Sequence, residues 1–411
     1  MNYDRVADAL RTAILSSRRA SFDVRIGIDV TSAVRQGAGI GRFTRELIRA
    51  YLSLDLPHEH ILFAATGGLS TSVTDARLAY ITEHARRPPL ATCHLPLSDD
   101  WLHRLWHRAR LPVPIEAMIG RVDLFHEPDF VLPPTLPRTH TVLTVHDLTF
   151  IRDAESALPK LRRYLNRVVP RSVARATHVL ADSTATQHDL VEFFHTPAEK
   201  ITVIYGGVDA RFAPVRDPGR LAAVRARYNI GPGTFILGLG TLQPRKNYQR
   251  LIRAFSDLRP LASDLRLIIV GGRGWLYDSI LAEVQQLGLE GCVMFPGFVD
   301  DGDLPALYSA AALFAFPSIY EGFGLPVLEA MACGTHVVTS KTSSLVEVGG
   351  EAALLVEPKN VDAIADAMRR ILHDADLRRT LVTRGFEQAR RFTWEKAALQ
   401  LKEIYERIGA A

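Results

Sequence analysis

The sequence predicts an α/β protein of two Rossmann-like units, each a parallel sheet with helices on both faces. Three observations carry that reading. Short apolar, β-branched runs alternate with longer amphipathic stretches through both halves of the chain. Its 411 residues exceed what one hydrophobic core usually organises and suit two. Glycine-rich turns follow several of the runs, which is where ligands bind in open parallel sheets.

In the first half the expected strands are Val24–Val30, His60–Ala65, Leu124–His126, Thr139–Val145, His178–Ala181 and Ile201–Tyr205. In the second they are Phe235–Leu239, Leu265–Val270, Val293–Phe295, Leu313–Phe316, His336–Thr339 and Ala353–Val356. Helical spacing between them is clearest at Arg42–Leu54, Lys160–Arg175, Tyr248–Leu258 and Val361–His373. The seam falls near Gly206–Pro218, where glycine, proline and charge cluster. This gives one unit over residues 24–207 and a second over 208–391, with residues 1–23 an unassigned extension. Val6, Ala9, Leu10, Ala13 and Ile14 repeat there at helical spacing. They suit a short helix or loose extension, or a helix lying on a membrane surface.

Apolar residues at 47% and charged residues at 23% exclude disorder as the main state. Cys93, Cys292 and Cys333 are odd in number and widely spaced, which excludes a disulfide framework and gives no zinc pattern. They read as thiols of a reducing compartment. The net charge of +4 divides evenly between the halves, against the concentrated basic face of a nucleic-acid platform. The most apolar stretch, Ala310–Val338, is interrupted by Pro317, Glu321, Pro326 and Glu329 and does not suit a bilayer span. Asp4, Arg5, Asp8 and Arg11 break any signal-peptide run. The expectation is a cytoplasmic protein.

Four segments carry chemistry. After the first strand comes Gln36-Gly37-Ala38-Gly39-Ile40-Gly41-Arg42, a loop that lets backbone approach an anion at a helix entrance. It is not GxGxxG, and Thr66-Gly67-Gly68 after the second strand offers no acid for a ribose, which weighs against a dinucleotide-dependent oxidoreductase. Gly240-Thr241-Leu242-Gln243-Pro244-Arg245-Lys246-Asn247 puts two cations at a helix entrance, a diphosphate clamp with Asn247 as candidate cap. Pro317-Ser318-Ile319-Tyr320-Glu321-Gly322-Phe323-Gly324-Leu325-Pro326-Val327-Leu328-Glu329-Ala330 spaces two carboxylates eight positions apart. Pro326 suits a first helical turn, which would hold Glu329, while Glu321 stays on the glycine loop. Free amides at Phe323–Leu325 would face an anion, and Gly334 would end the helix. Finally, His146 follows a strand beside Asp147, which could orient it as a base. Asp301-Gly302-Asp303 matches an Asp-x-Asp metal motif, but Leu304-Pro305-Ala306-Leu307-Tyr308 follows, so a helix cap suits Asp303 better and no metal is expected.

Together the Glu-x7-Glu segment, Gly240–Asn247, the Gly37–Gly41 loop, Val145-His146-Asp147-Leu148-Thr149-Phe150 and Gly297-Phe298-Val299 resemble the retaining GT-B glycosyltransferases of family 4. The resemblance runs from about residue 24 to the end and, within the family, is nearest bacterial mannosyl- and glucosyltransferases of surface polysaccharides. It implies two Rossmann-like domains facing a cleft, a nucleotide-sugar donor on the second, and a saccharide or lipid-linked saccharide acceptor on the first. The last helix, within 392–411, would cross back onto the first domain. Arg245 and Lys246 would hold the diphosphate, and Glu321 the donor-sugar hydroxyls beside the amides of Phe323, Gly324 and Leu325. Glu329 would take the ribose, Val299 would meet the base through its backbone, and Gly39 and Gly41 would close over the phosphates. His146 would sit beside the donor sugar, positioning and polarising it rather than abstracting a proton. The implied activity is retaining, metal- and cofactor-independent hexosyl transfer, with GDP-mannose the donor named first. A UDP-glucose-dependent transferase, a nucleotide-sugar epimerase and a non-catalytic nucleotide-sugar sensor are the alternatives. Trp101, Leu102, Leu105 and Trp106 share a helical face with basic residues opposite. That segment suits either packing on the first sheet or peripheral contact with a lipid-linked acceptor or membrane.

Overall fold

A computed structural model describes residues 24–409 apart from 38, 87–89, 99–100, 103, 109–110 and 260–263. The expectation for residues 1–23 lies outside the described residues, as does part of Trp101–Arg110. The first sheet has seven parallel strands, β1 (Arg25–Asp29), β2 (Glu59–Ala65), β3 (Leu90–Leu95), β4 (Leu124–Glu127), β5 (His140–Val145), β6 (His178–Ala181) and β7 (Ile201–Val203). Their order is β3-β2-β1-β4-β5-β6-β7. The second sheet comprises β8 (Phe235–Leu239), β9 (Arg266–Val270), β10 (Val293–Gly297), β11 (Leu313–Phe316), β12 (Val337–Ser340) and β13 (Ala353–Val356), ordered β10-β9-β8-β11-β12-β13. Central strands are apolar on both faces, as burial under two helical layers requires: Ile26, Ile28, Ile236 and Leu237 are fully buried.

β3 is the strand the sequence does not announce. Leu90-Ala91-Thr92-Cys93-His94-Leu95 has no β-branched run and pairs on one side only, as the sheet edge beside β2. Elsewhere the expected strands agree to within one or two residues.

In each sheet the strand order reverses once, between β1 and β4 and between β8 and β11. Loops diverge at such switch points and leave a crevice at the strand ends. The glycine loop follows β1, Arg245 and Lys246 follow β8, and Glu321 follows β11. The last helix, Trp394–Gly409, joins the core of the first sheet through Trp394, Leu401, Ile404 and Tyr405. Its Tyr405 hydroxyl lies 2.5 Å from His126 Nδ1 on β4, and the Trp394 ring meets Phe43 edge-on at 5.4 Å. Trp101 is 54% exposed whereas Leu102 is buried, so these two neighbours do not share one buried face.

Candidate functional site

Between the two sheets lies a cavity of about 240 Å³ lined from both sides. Gly39, Arg42, His146 and Asp182 come from the loops and helix starts that follow the first sheet's strands, and Gln243, Arg245, Lys246, Glu321, Phe323, Gly324, Leu325 and Glu329 from those that follow the second's. Most of the expected site residues therefore meet in one place. Val299 and Gly41 are not among the cavity-lining residues. Val299 is buried in the second core. A Cβ on Gly41 would lie 2.5 Å from the Ser32 carbonyl oxygen, so that glycine serves helix packing. Gly39 does face the cavity, at φ 59° and ψ −125°, a backbone shape that favours glycine.

Glu321 is held by both neighbouring cations. Arg245 Nη1 donates to its Oε2 at 2.5 Å and Lys246 Nζ to its Oε1 at 2.6 Å. Burial alone would raise this carboxyl; the two cations outweigh it and hold the group at about 2. Glu321 is thus held as a carboxylate near neutral pH. Burial likewise pulls Lys246 below its usual value, against the attraction of Glu321. The Ser344 hydroxyl, within 2.8 Å of the Glu321 carbonyl and 2.7 Å of the Phe323 carbonyl, ties down those oxygens. Among the described residues, the amides of Phe323, Gly324 and Leu325 meet no protein acceptor.

Glu329 stands in the helix Leu325–Ala332, at its fifth residue. It therefore occupies the second turn and not the first, because the helix starts at Leu325 with Pro326 behind it. Arg42 Nη1 reaches Glu329 Oε1 at 2.9 Å, and the Tyr308 hydroxyl donates to Oε2 at 3.1 Å. Burial pushes this carboxyl up against those two partners.

His146 Nε2 donates to the Pro128 carbonyl at 2.8 Å, and Nδ1 lies 2.6 Å from Asp182 Oδ2. Asp182, not Asp147, orients the ring; the Asp147 carboxylate accepts the Thr149 amide instead. Burial opposes a charge on His146, but the Asp182 carboxylate overcomes it and lifts the imidazole to about 9. Burial raises the Asp182 carboxyl as well, so the two share a proton, and with both ring nitrogens engaged by Pro128 and Asp182 neither lone pair is open to a substrate. Phe43 and Phe130 pack edge-on against it at 5.4 and 5.5 Å.

Two expected caps act differently. Asn247 sits at the entrance of Tyr248–Ser256 with φ 61° and makes no cap bond; its Nδ2 donates to the Pro317 and Pro358 carbonyls. Asp303 precedes Leu304–Ala310 without capping it, because Arg220, Arg227 and Tyr228 occupy its carboxylate.

The comparisons with known proteins decide the family. Residues 37–212 match the pattern described as Glycosyltransferase Family 4, and residues 224–388 that described as Glycosyl transferases group 1. O-antigen chain mannosyltransferase B of Escherichia coli is 36% identical over 285 residues, covering 69% of this chain and 74% of that protein. The chain belongs to glycosyltransferase family 4. Sucrose-phosphate synthase from Thermosynechococcus elongatus superimposes with a TM-score of 0.71 at 23% identity, over 94% of this chain and 99% of that one. The Anabaena protein HepE, solved in complex with UDP and glucose, gives 0.68 at 19% over 93% and 100%. The two facing parallel sheets of this glycosyltransferase are the GT-B fold.

Sequence reasoning missed Arg42, Tyr308 and Asp182 as members of the glycosyltransferase's site. Each meets its partner only after folding, across 21 residues for Tyr308–Glu329 and 36 for Asp182–His146. Arg42 was visible as the cation closing the glycine loop, but nothing local links it to Glu329. Gln243 also lines this cavity, and its buried Oε1 has no hydrogen-bond partner among the described residues.

Proposed function

We propose that this glycosyltransferase moves a hexose, mannose from GDP-mannose first among candidates, onto a saccharide or lipid-linked saccharide during cell-surface polysaccharide synthesis. The reading rests on one observation: Arg245 and Lys246 converge on the Glu321 carboxylate at the cavity wall. Cleaving a sugar–phosphate bond develops negative charge on the leaving diphosphate, and preorganised donors stabilise it. Arg245, Lys246 and the amides of Phe323–Leu325 supply them, which supports a reaction that needs no metal. Each Glu321 oxygen already accepts one cation bond and retains a lone pair for a sugar hydroxyl. Glu329, behind it on the helix, receives the ribose. His146 contributes positive field beside the sugar and takes no proton, which favours retention by front-face attack assisted by the leaving group. The similarity to O-antigen chain mannosyltransferase B supports mannose and a polysaccharide acceptor.

A thermal-shift panel of GDP-mannose, UDP-glucose and ADP- and TDP-glucose tests the donor, since a ligand that binds only the folded state raises its stability. GDP-mannose should give the largest shift, and transfer should persist in EDTA with the anomeric configuration kept. Inversion by NMR, or activity abolished by chelation and restored by manganese, would overturn the mechanism.

A further inference from the structure

The helix Thr184–Phe194 starts two residues after Asp182, the residue that holds His146. Ser183 caps it by accepting the Thr186 amide at 3.1 Å, and the Thr186 hydroxyl donates to the His146 carbonyl at 3.1 Å. Its two foremost amides find their acceptor in the other domain. Thr184 N donates to Glu347 Oε2 at 3.1 Å and Ala185 N to Oε1 at 2.9 Å. The Tyr205 hydroxyl adds a bond to Oε2 at 2.8 Å. A carboxylate at this end of a helix also meets the favourable end of its dipole.

Glu347 is tied just as closely to the donor loop. It lies in the short helix Leu345–Gly349, immediately after Ser343 and Ser344. Ser343 Oγ accepts the Glu321 amide at 3.0 Å, and Ser344 binds the Glu321 and Phe323 carbonyls. Five consecutive residues, 343–347, therefore touch the Glu321 loop at one end and the helix behind His146–Asp182 at the other.

We propose that Glu347 is a positioning residue for glycosyl transfer, capping across the domain boundary the helix whose entrance turn carries Asp182 and so fixing His146 against Glu321. The proposal rests on the reading of the cavity as the transfer site. A misplacement of about 1 Å between such groups can cost on the order of a hundredfold in rate.

The experiment compares Glu347→Ala and Glu347→Asp with wild type in the full chain, using GDP-mannose kinetics, calorimetry with free GDP and UDP, and amide hydrogen exchange. In Glu347→Ala, kcat should fall roughly ten- to a hundredfold, with affinity for the free nucleotide that binds unchanged within twofold. Aspartate keeps both acceptor oxygens on a shorter arm and should restore much of kcat. Exchange at Thr184 and Ala185 should accelerate in the alanine variant. A kcat within twofold of wild type, or nucleotide affinity falling in step with kcat, would overturn the proposal; so would an aspartate variant no better than alanine. Wild-type protein that binds neither nucleotide would overturn the donor reading instead. The exchange rates would then decide the interdomain cap alone, unchanged protection at Thr184 and Ala185 counting against it.

Discussion

Glu321 and Glu329 lie eight positions apart, yet the fold neutralises them from opposite sides. Glu321 is answered by Arg245 and Lys246 from its own domain, Glu329 by Arg42 from the facing one. Their substitution should separate two steps. Glu321→Gln should cut turnover ten- to a hundredfold, from the ~1.5–3 kcal/mol of a hydrogen bond to a charged group, and leave free nucleoside diphosphate binding no weaker. Removing the carboxylate also releases two cations for phosphate. Glu329→Gln should weaken donor and free nucleotide alike. Calorimetry with the free nucleotide, run beside initial rates at saturating donor, checks the contrast; equal losses of nucleotide affinity would refute it. The Glu-x7-Glu and Arg-Lys segments were legible because their chemistry is contiguous in sequence. The partners Arg42, Tyr308 and Asp182 were not, because hydrogen bonds across the fold leave no periodic trace in the chain.

Among the elements, the loop after β11 is tightly constrained. A Cβ on Gly322 would lie 2.1 Å from the His146 carbonyl oxygen, and that oxygen is backbone that cannot swing away. Gly322→Ala should push the Glu321 loop off the first domain, an overpacking cost of about 1–3 kcal/mol. Differential scanning calorimetry should register that loss, and transfer should fall more steeply than stability. Wild-type activity in the alanine variant would mean that the two loops part freely. Alternation of strand and helix made the fold readable from pattern, because central strands buried on both faces must be apolar. The edge strand β3 escaped it: its one neighbour asks for less. The helix Leu325–Ala332 also began where glycine and proline said it should, but a count of one turn misplaced Glu329. Gly324 at φ 116° sets the start, and the start sets the register.

At the scale of the molecule, histidine chemistry pulls stability in two directions. Twelve of the fourteen histidines precede residue 210. Burial lowers His60 to about 4 and His126 to about 3, from 6.5. The unfolded chain therefore takes up protons first, and stability present above pH 6.5 is lost progressively as the pH falls towards 3–4. His146 behaves oppositely: its folded value of about 9 exceeds 6.5, so its contribution is complete below pH 6.5 and disappears as the pH rises through 9. Melting temperature should peak near neutrality and decline on both sides, and His146→Asn should flatten the alkaline limb. A profile rising steadily from pH 6.5 to 9 would contradict the charged state of His146.

The Arg42–Glu329 pair has a kinetic corollary. It spans the cavity, and the carboxylate it occupies is the one a ribose would need. Were the ribose to displace Arg42 from that carboxylate, uptake of donor would wait on an internal event, the parting of a buried ion pair, and not on collision alone. In stopped-flow mixing, the observed association rate should level off as nucleotide concentration rises, the plateau being the opening rate. Arg42→Ala should lift that ceiling. A rate that stays linear with concentration in wild-type protein would mean that the gate stands open before the ligand arrives.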